Sequence, residues 1–246
     1  MFGETESKYL AGLLDADGCL TYSYNNGYLS LTMCISMSES IDKDGKTAKY
    51  LSSKVGQLYT RKREENLAVQ NEWTVRKRKD LEKLLPHIIK HMVVKGSQWS
   101  LMLETFREYK AVPITREKVL ELREEASKCR GPKKPKIHPT WAWAAGYIDG
   151  DGWFLCRDRG NYIEKHVGAV AHADHTEGLE LLHKAFGGVL KKDNKGYIRW
   201  IKNLGNRDIV FAKRFLKKMV NHSKLKKWKI EKILSTYPQR LTEDKS

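Results

Sequence analysis

The chain has 246 residues, 46 of them Lys or Arg against 30 Asp or Glu, which gives a formal net charge of +16 and a sequence pI near 9.6. Such an excess calls for a polyanionic partner, and nucleic acid is the usual one; an anionic membrane is disfavoured because the sequence has no long apolar run and no basic amphipathic helix apart from folded sequence. The cysteines Cys19, Cys34, Cys129 and Cys156 show no CxxC spacing and no neighbouring histidine pair, so they give no sign of a zinc site or a disulfide framework and read as reduced thiols of an intracellular protein.

The N-terminus, Met1-Phe2-Gly3-Glu4-Thr5-Glu6-Ser7, lacks the basic and apolar regions of a secretion signal. Residues 9–18 read as a helix that runs out at Asp17-Gly18. Leu20, Tyr22 and Tyr24 then alternate with Thr21, Ser23 and Asn25, Asn26-Gly27 marks a tight turn, and Leu29, Leu31, Met33 and Ile35 alternate with Tyr28, Ser30, Thr32 and Cys34. This is a hairpin with one apolar and one polar face.

Residues 45–55 suit a helix, and residues 58–63 and 73–78 read as strands ending in basic clusters, so that Arg61, Arg63, Arg76 and Arg78 are expected to continue one face of the same sheet. A sheet face of hydroxyls, amides and arginines suits base edges and phosphates in a major groove. Asp80 is expected to cap a helix carrying Leu81, Leu84, Leu85 and Ile88, bent or shortened at Pro86. Lys95 precedes a helix with Trp99, Leu101, Met102, Leu103 and Phe106, and Pro113 is expected to open a charged helix to about Ala126. Residues 129–139 are rich in proline and lysine and read as a linker.

The second half repeats this order in shorter form. Residues 143–152 match residues 9–18, sharing Ala-Gly, an aliphatic position and Asp-small-Asp-Gly. Phe154 and Cys156 alternate with Leu155, Arg157 and Arg159, and Val167, Ala169, Ala171 and Ala173 alternate with His166, Gly168, Val170, His172 and Asp174. A helix with Leu179, Leu182 and Phe186 ends at Gly187-Gly188; two short strands follow with Lys191, Lys192, Tyr197, Arg199 and Trp200, then two helices, the last after Lys224. The expected division is residues 1–126 for one half, 127–139 for the linker and 140–246 for the other half, each reading α-β-β-α-β-β-α.

In the repeated decapeptide, Gly12 and Ala16, or Gly146 and Gly150, lie four apart and share one helix face. Glycine inside a soluble helix costs roughly 0.5–1 kcal/mol against alanine, so a close backbone-to-backbone contact between the two helices is the reason to expect it. If they pair in parallel, Asp17 and Asp151 emerge side by side at C-terminal ends, where the helix dipole disfavours an anion and a divalent cation compensates. A single Asp-x-Asp-Gly reads equally well as a solvated helix terminus; two copies, each leading into an alternating strand, argue against that.

Leu10-Ala11-Gly12-Leu13-Leu14-Asp15-Ala16-Asp17-Gly18, with its looser second copy in which Ala144 and Tyr147 replace leucines, resembles the motif of the LAGLIDADG homing endonucleases, specifically their single-chain, two-motif class. The resemblance covers nearly the whole chain. It implies an α+β fold of two pseudo-symmetric halves, their antiparallel sheets forming a saddle astride double-stranded DNA and the motif helices packed at the interface. It further implies Asp17 and Asp151 as catalytic metal ligands, helped by the backbone carbonyls of Ala16 and Gly150, with Mg²⁺ as the cofactor, Mn²⁺ able to substitute and Ca²⁺ supporting binding without cleavage. Asp15 and Asp149 are expected to be structural. A basic residue near each scissile phosphate is implied too; anchoring on Trp99 and Trp228 points to Lys95 and Lys224. A position often held by glutamine in the family falls near Met37 in one half and at Asp174 or His175 in the other.

The expected DNA contacts are Thr21, Ser23, Asn25, Tyr28, Ser30, Thr32, Arg61, Arg63, Arg76, Arg78, Arg157, Arg159, His172, Lys191 and Arg199. The reading that follows is an intron-encoded, site-specific double-strand DNA endonuclease, acting as a monomer on an imperfect palindrome and leaving short 3′ overhangs, in the cytoplasm of a prokaryote or an organelle matrix. The alternative is an RNA maturase assisting its host intron, which shares fold and charge; the retained carboxylates favour cleavage.

Overall fold

Helix α1 (Glu4–Asp17) and helix α6 (Trp141–Asp151) lie side by side, parallel, and the rest of the chain is arranged about that pair. The computed structural model describes residues 2–61, 69–129 and 139–237. The parallel pairing follows from the glycines: a Cβ on Gly12 would sit 1.9 Å from the carbonyl oxygen of Trp143, and one on Gly146 would sit 2.0 Å from that of Tyr9. Only hydrogen fits there.

Each motif helix leads into a four-stranded antiparallel sheet. In the first half β1 (Cys19–Asn25), β2 (Tyr28–Ser38), β3 (Gln57–Arg61) and β4 (Gln70–Val75) are ordered β1-β2-β4-β3. In the second, β5 (Gly152–Asp158), β6 (Ile163–His172), β7 (Val189–Lys192) and β8 (Tyr197–Asn203) repeat that order as β5-β6-β8-β7. The turn at Asn26-Gly27 has positive φ at both residues, 49° and 87°, the backbone a two-residue hairpin demands. Its alternation is borne out: Leu29, Leu31, Met33, Ile35 and Met37 are buried while their neighbours in β2 are not.

One face of each sheet is covered by helices. In the first half these are α2 (Lys46–Lys54), α3 (Arg78–Ile89), α4 (Gly96–Glu108) and α5 (Arg116–Lys128); in the second, α7 (Glu177–Phe186), α8 (Ile209–Val220) and α9 (Lys227–Ser235). Trp73, Trp99, Trp143 and Trp200, all at or below 1 % exposure, are the largest core side chains. The other face of each sheet is open, giving the α+β saddle that the family resemblance implies. Among the described residues no helix is long and apolar enough to cross a membrane.

Three local expectations are corrected. The strand expected over residues 73–78 ends at Val75, and Arg78 is the first residue of α3, because the helical spacing of Leu81, Leu84, Leu85 and Ile88 takes over. Lys77 is therefore the N-cap; Asp80 lies in the first turn, where an anion still suits the helix dipole, and the helix runs through Pro86 to Ile89. Pro113 does not open α5: it bridges to Tyr28, and the Thr115 hydroxyl caps the helix by accepting from the Lys118 N–H at 3.2 Å.

Candidate functional site

The parallel pair brings the two motif ends together. Ala16, Asp17, Gly150 and Asp151 meet where α1 and α6 finish: a Cβ on Gly150 would lie 2.6 Å from the Ala16 Cβ and 3.2 Å from Asp17 Oδ2. The Asp17 and Asp151 carboxyls are within hydrogen-bond reach of each other, Asp17 open to solvent on its outer side and Asp151 half-buried. Burial and then the Asp17 charge push Asp151 up to about 7, against the pull of Lys95 and Lys226; burial raises Asp17 as well, again opposed by those two lysines. Two carboxyls crowded until one keeps its proton form a site short of positive charge.

Asp15 and Asp149, two residues earlier, do different work. Asp15 accepts from the backbone N–H groups of Val93 (2.7 Å), Val94 (3.2 Å) and Lys95 (2.8 Å), and from the indole Nε1 of Trp143 (2.8 Å). Asp149 accepts from the N–H groups of Lys224 (2.8 Å), Leu225 (3.0 Å) and Lys226 (3.2 Å), the Ser223 hydroxyl (2.7 Å) and the Tyr9 hydroxyl (2.8 Å). Each buried carboxylate fastens its motif helix to the loop before α4 or α9, and each reaches across the interface to the other motif helix. They are structural, as expected.

Those loops deliver a lysine to each helix end. Lys95 Nζ donates to the carbonyl oxygens of Leu14 (3.1 Å), Ala16 (2.8 Å) and Gly18 (2.9 Å). Its counterpart is Lys226, whose Nζ donates to those of Ile148 (2.7 Å), Asp149 (2.6 Å) and Gly150 (3.2 Å). Orphan carbonyls at a helix C-terminus, with the negative end of the dipole, are suited to a buried ammonium. Burial nonetheless pulls Lys226 down to about 8, opposed by Asp149, Asp17 and Asp151.

This corrects the expected equivalence of Lys95 with Lys224. Lys224 points instead toward the N-terminal end of α1, with Nζ 3.8 Å from Glu6 and 4.7 Å from the Tyr50 ring centre. Trp228 is not the counterpart of Trp99: it is 40 % exposed where Trp99 is 1 %. The usable signal was the helix start, since Lys95 and Lys226 are the N-cap residues of α4 and α9.

The open strand faces carry most of the expected contact residues. In the first sheet Thr21 is opposite Thr32, Ser23 opposite Ser30 and Asn25 opposite Tyr28. By the same register Ser36, Ser38, Gln57, Tyr59, Gln70, Glu72 and Thr74 share that face, residues which the sequence reading missed although their alternation was visible. Arg61 lies there with a guanidinium nitrogen 3.5 Å from Glu72, and Arg76, just beyond β4, sits 5.3 Å from the Tyr59 ring centre. Arg63 lies outside the described residues. Arg78 is not on this face: its guanidinium is 3.6 Å from the Phe106 ring centre and donates to the Phe106 carbonyl at 2.7 Å.

In the second sheet Arg157, His172, Lys191 and Arg199 share the open face, with Lys191 opposite Arg199 and His172 opposite Tyr197. Arg159 is past the end of β5, bonded to Glu164 at 2.8 Å. Met37 is buried and cannot face a reacting water; Ser36 and Ser38 flank it. Asp174 and His175 follow the end of β6.

The donor set suits a hard divalent cation. Two carboxylates and the carbonyls of Ala16 and Gly150 are all oxygen ligands. Among the described residues no third His, Cys, Asp or Glu joins them, so water and phosphate oxygens must complete any coordination shell.

By sequence, the chain matches no family model and no curated protein. By shape it is similar to a set of DNA complexes. One is I-SmaMI bound to an uncleaved DNA target in the presence of calcium ions, with a TM-score of 0.58 and 17% identity over 87% of this chain and 84% of that one. Another is the LAGLIDADG homing endonuclease I-GzeII with its DNA target, at 0.58 and 16% over 95% and 98%. A third is the LAGLIDADG meganuclease I-AabMI bound to uncleaved DNA, at 0.54 and 14% over 95% and 99%. At such identities what is shared is the two-domain fold.

Proposed function

We propose that this chain, which has the two-motif LAGLIDADG fold and keeps an aspartate at the end of each motif helix, is a homing endonuclease that hydrolyses one phosphodiester in each strand of a long, imperfectly palindromic DNA target, leaving short 3′ overhangs. The observation that carries this reading is the juxtaposition of Asp17 and Asp151 at the foot of the helix pair, between two open strand faces. The DNA complexes formed by proteins of the same shape support it. The two halves, taken as residues 1–126 and 140–246 about a linker at 127–139, act together as a monomer, and the enzyme is intron-encoded and intracellular.

Asp17 and Asp151 would hold Mg²⁺, with the Ala16 and Gly150 carbonyls adjoining; Mn²⁺ substitutes, and the calcium-bound complex of one structural neighbour fits Ca²⁺ supporting binding alone. When bound there, such a cation would supply charge neutralisation of the phosphate and a lowered pKa for an attacking water. The remaining roles fall to side chains. Water adds to phosphorus and gives up a proton to solvent, the bond to the leaving sugar oxygen breaks, and that oxygen takes up a proton from solvent. Lys95 and Lys226 hold the helix ends in place and set positive charge beside the developing oxyanion. Thr21, Ser23, Asn25, Tyr28, Ser30 and Thr32 in one half and Arg157, His172, Lys191 and Arg199 in the other face the grooves, arginines contacting guanine edges or phosphates.

Asp17→Asn and Asp151→Asn test the reading. Each should abolish double-strand cutting of a target selected from a randomised duplex library while DNA affinity stays within a few-fold. Full cutting by either variant overturns it.

A further inference from the structure

The two halves share a fold but not a charge. Residues 209–235, which form α8, its connection and α9, contain nine Lys or Arg and one Asp or Glu, with Arg207 and Asp208 just before them; the equivalent residues 78–108, α3 to α4, contain six and four. The fold does not require the excess, since the first half does without it. Nor does the strand face use it. Helix α8 buries Ala212, Phe215, Leu216 and Met219 against the core, so its exposed side looks away from the open face of the sheet.

The exposed side of α8 has a definite pattern. At about 100° per residue, Lys213 and Lys217 fall on one flank, Arg214 and Lys218 on the other, with Val210 and Asn221 between them. Arg214, Lys217 and Lys218 are exposed, Lys213 is half-buried and Val210 is 70 % exposed. A helix with its side chains is roughly 10–12 Å across, close to the roughly 12 Å width of the B-DNA major groove. Cations on both flanks can therefore meet both phosphate backbones at once, with an apolar side chain toward the base edges. The same helix does not suit A-form RNA, whose major groove is deep and too narrow for side chains to read. Beyond the C-terminal end of α8 the cations continue through Lys224 and Lys227, which with Lys46, Tyr50, Asn221 and His222 line a cleft of about 360 Å³ between the halves. Of the acidic residues, Glu231 lies 3.9 Å from Lys227 and Asp208 caps α8.

We propose that the outer surface of α8 is a second DNA-binding site, which takes the major groove of another duplex segment while the strand faces hold the first. It goes beyond the cleavage reading and needs only that the strand faces bind DNA. One chain then bridges two stretches of duplex, which serves a protein that must search a long polymer by transfer between segments.

The test uses the full chain, two differently labelled short duplexes of arbitrary sequence, and a hairpin RNA with an unpaired loop. Energy transfer between the duplexes, with sedimentation showing two duplexes on one chain, is the expected result. The variant Arg214→Glu/Lys217→Glu/Lys218→Glu, altered only at exposed positions, should lose the transfer while its affinity for the first duplex changes less than about three-fold. Removing three phosphate contacts should also flatten the salt dependence of second-duplex binding by about 2.7 in the log–log slope. Bridging that is absent from the natural chain or survives in the variant overturns the proposal. So does a parallel loss of both duplexes, which would put α8 in the first footprint. Displacement of the second duplex by lower concentrations of hairpin RNA overturns it too, since Trp228 is an exposed ring on which an unpaired base can stack. Failure of the Asp17→Asn and Asp151→Asn cleavage tests leaves each of these outcomes readable.

Discussion

The hydroxyl of Tyr9 on α1 donates to the carboxylate of Asp149 on α6 at 2.8 Å, and the same relation recurs in mirror sense from Trp143 to Asp15 at 2.8 Å. Each half thus supplies a ring donor that completes the buried acid of the other. Tyr9→Phe removes one partner of a carboxylate that keeps four others, and should cost about 1 kcal/mol in urea unfolding. Asp149→Ala strands several buried donors and should cost about 3–5 kcal/mol. Equal losses would show that the loop N–H groups, not the tyrosine, find other partners.

The glycine contacts set a sharper contrast. Gly12→Ala puts a Cβ 1.9 Å from a backbone carbonyl that cannot rotate away, whereas Gly3→Ala meets nothing within 4 Å. The first should lower stability by about 3 kcal/mol, the upper end of overpacking costs; the second, which changes only the N-cap residue of α1, should cost about 1 kcal/mol or less. A well-behaved Gly12→Ala protein would mean the helices can separate.

Lysine replacement separates Lys226 from Lys224. Lys226→Met removes the ammonium that holds the carbonyls of Ile148, Asp149 and Gly150 beside Asp151 and should reduce cleavage about 10–100-fold, the scale for losing a group that supports a metal site, whereas Lys224→Met should leave the catalytic rate of target cutting within a few-fold. The reverse order of effects would restore Lys224 as the counterpart of Lys95.

Two neighbouring arginines should behave differently. Arg76→Ala, on the open face, is expected to reduce the salt slope of DNA binding by about 0.9 without loss of stability. Arg78→Ala removes a guanidinium packed on Phe106 and should lower the urea midpoint while leaving that slope alone. Identical salt slopes for both variants would contradict the placement.

Because its folded pKa is raised, Asp151 keeps a proton that the unfolded chain loses near pH 3.9. Its contribution is intact below about pH 4, is lost as pH climbs, and changes no further above about 7. Without divalent cations, the melting temperature of the natural chain relative to Asp151→Asn should therefore fall across that window. Adding Mg²⁺ at pH 8 should raise the natural chain's melting temperature, because the folded state alone holds the cation. Parallel melting curves at every pH would show that neither burial nor the Asp17 charge holds a proton on Asp151.

Much of this was legible in the residue order. Gly12 and Gly146 announced a close helix contact because glycine in a helix needs a steric reason, and the alternation from Leu20 to Ile35 gave the hairpin and its open face. What escaped was register and long-range partnership. Arg76-Lys77-Arg78 continues a basic run in either conformation, and only the core demand of Leu81 and Leu84 decides that the strand has already ended. Lys226 was hidden among neighbouring lysines, since a hydrogen bond from one of them to Ile148, 78 residues away, leaves no local trace. Tyr9 and Trp143 looked like ordinary core rings for the same reason.

Interlocked backbones at Gly12 and Gly146 leave no slack along the seam. With a backbone carbonyl in van der Waals contact at each glycine, the spacing of the two open strand faces is set by the helix pair itself, as on a ruler. If the strand faces bind DNA as proposed, a target lengthened or shortened by one base pair at its centre should be cut poorly, however good the flanking sequences, because the helix contact at Gly12 and Gly146 holds the two halves at one spacing.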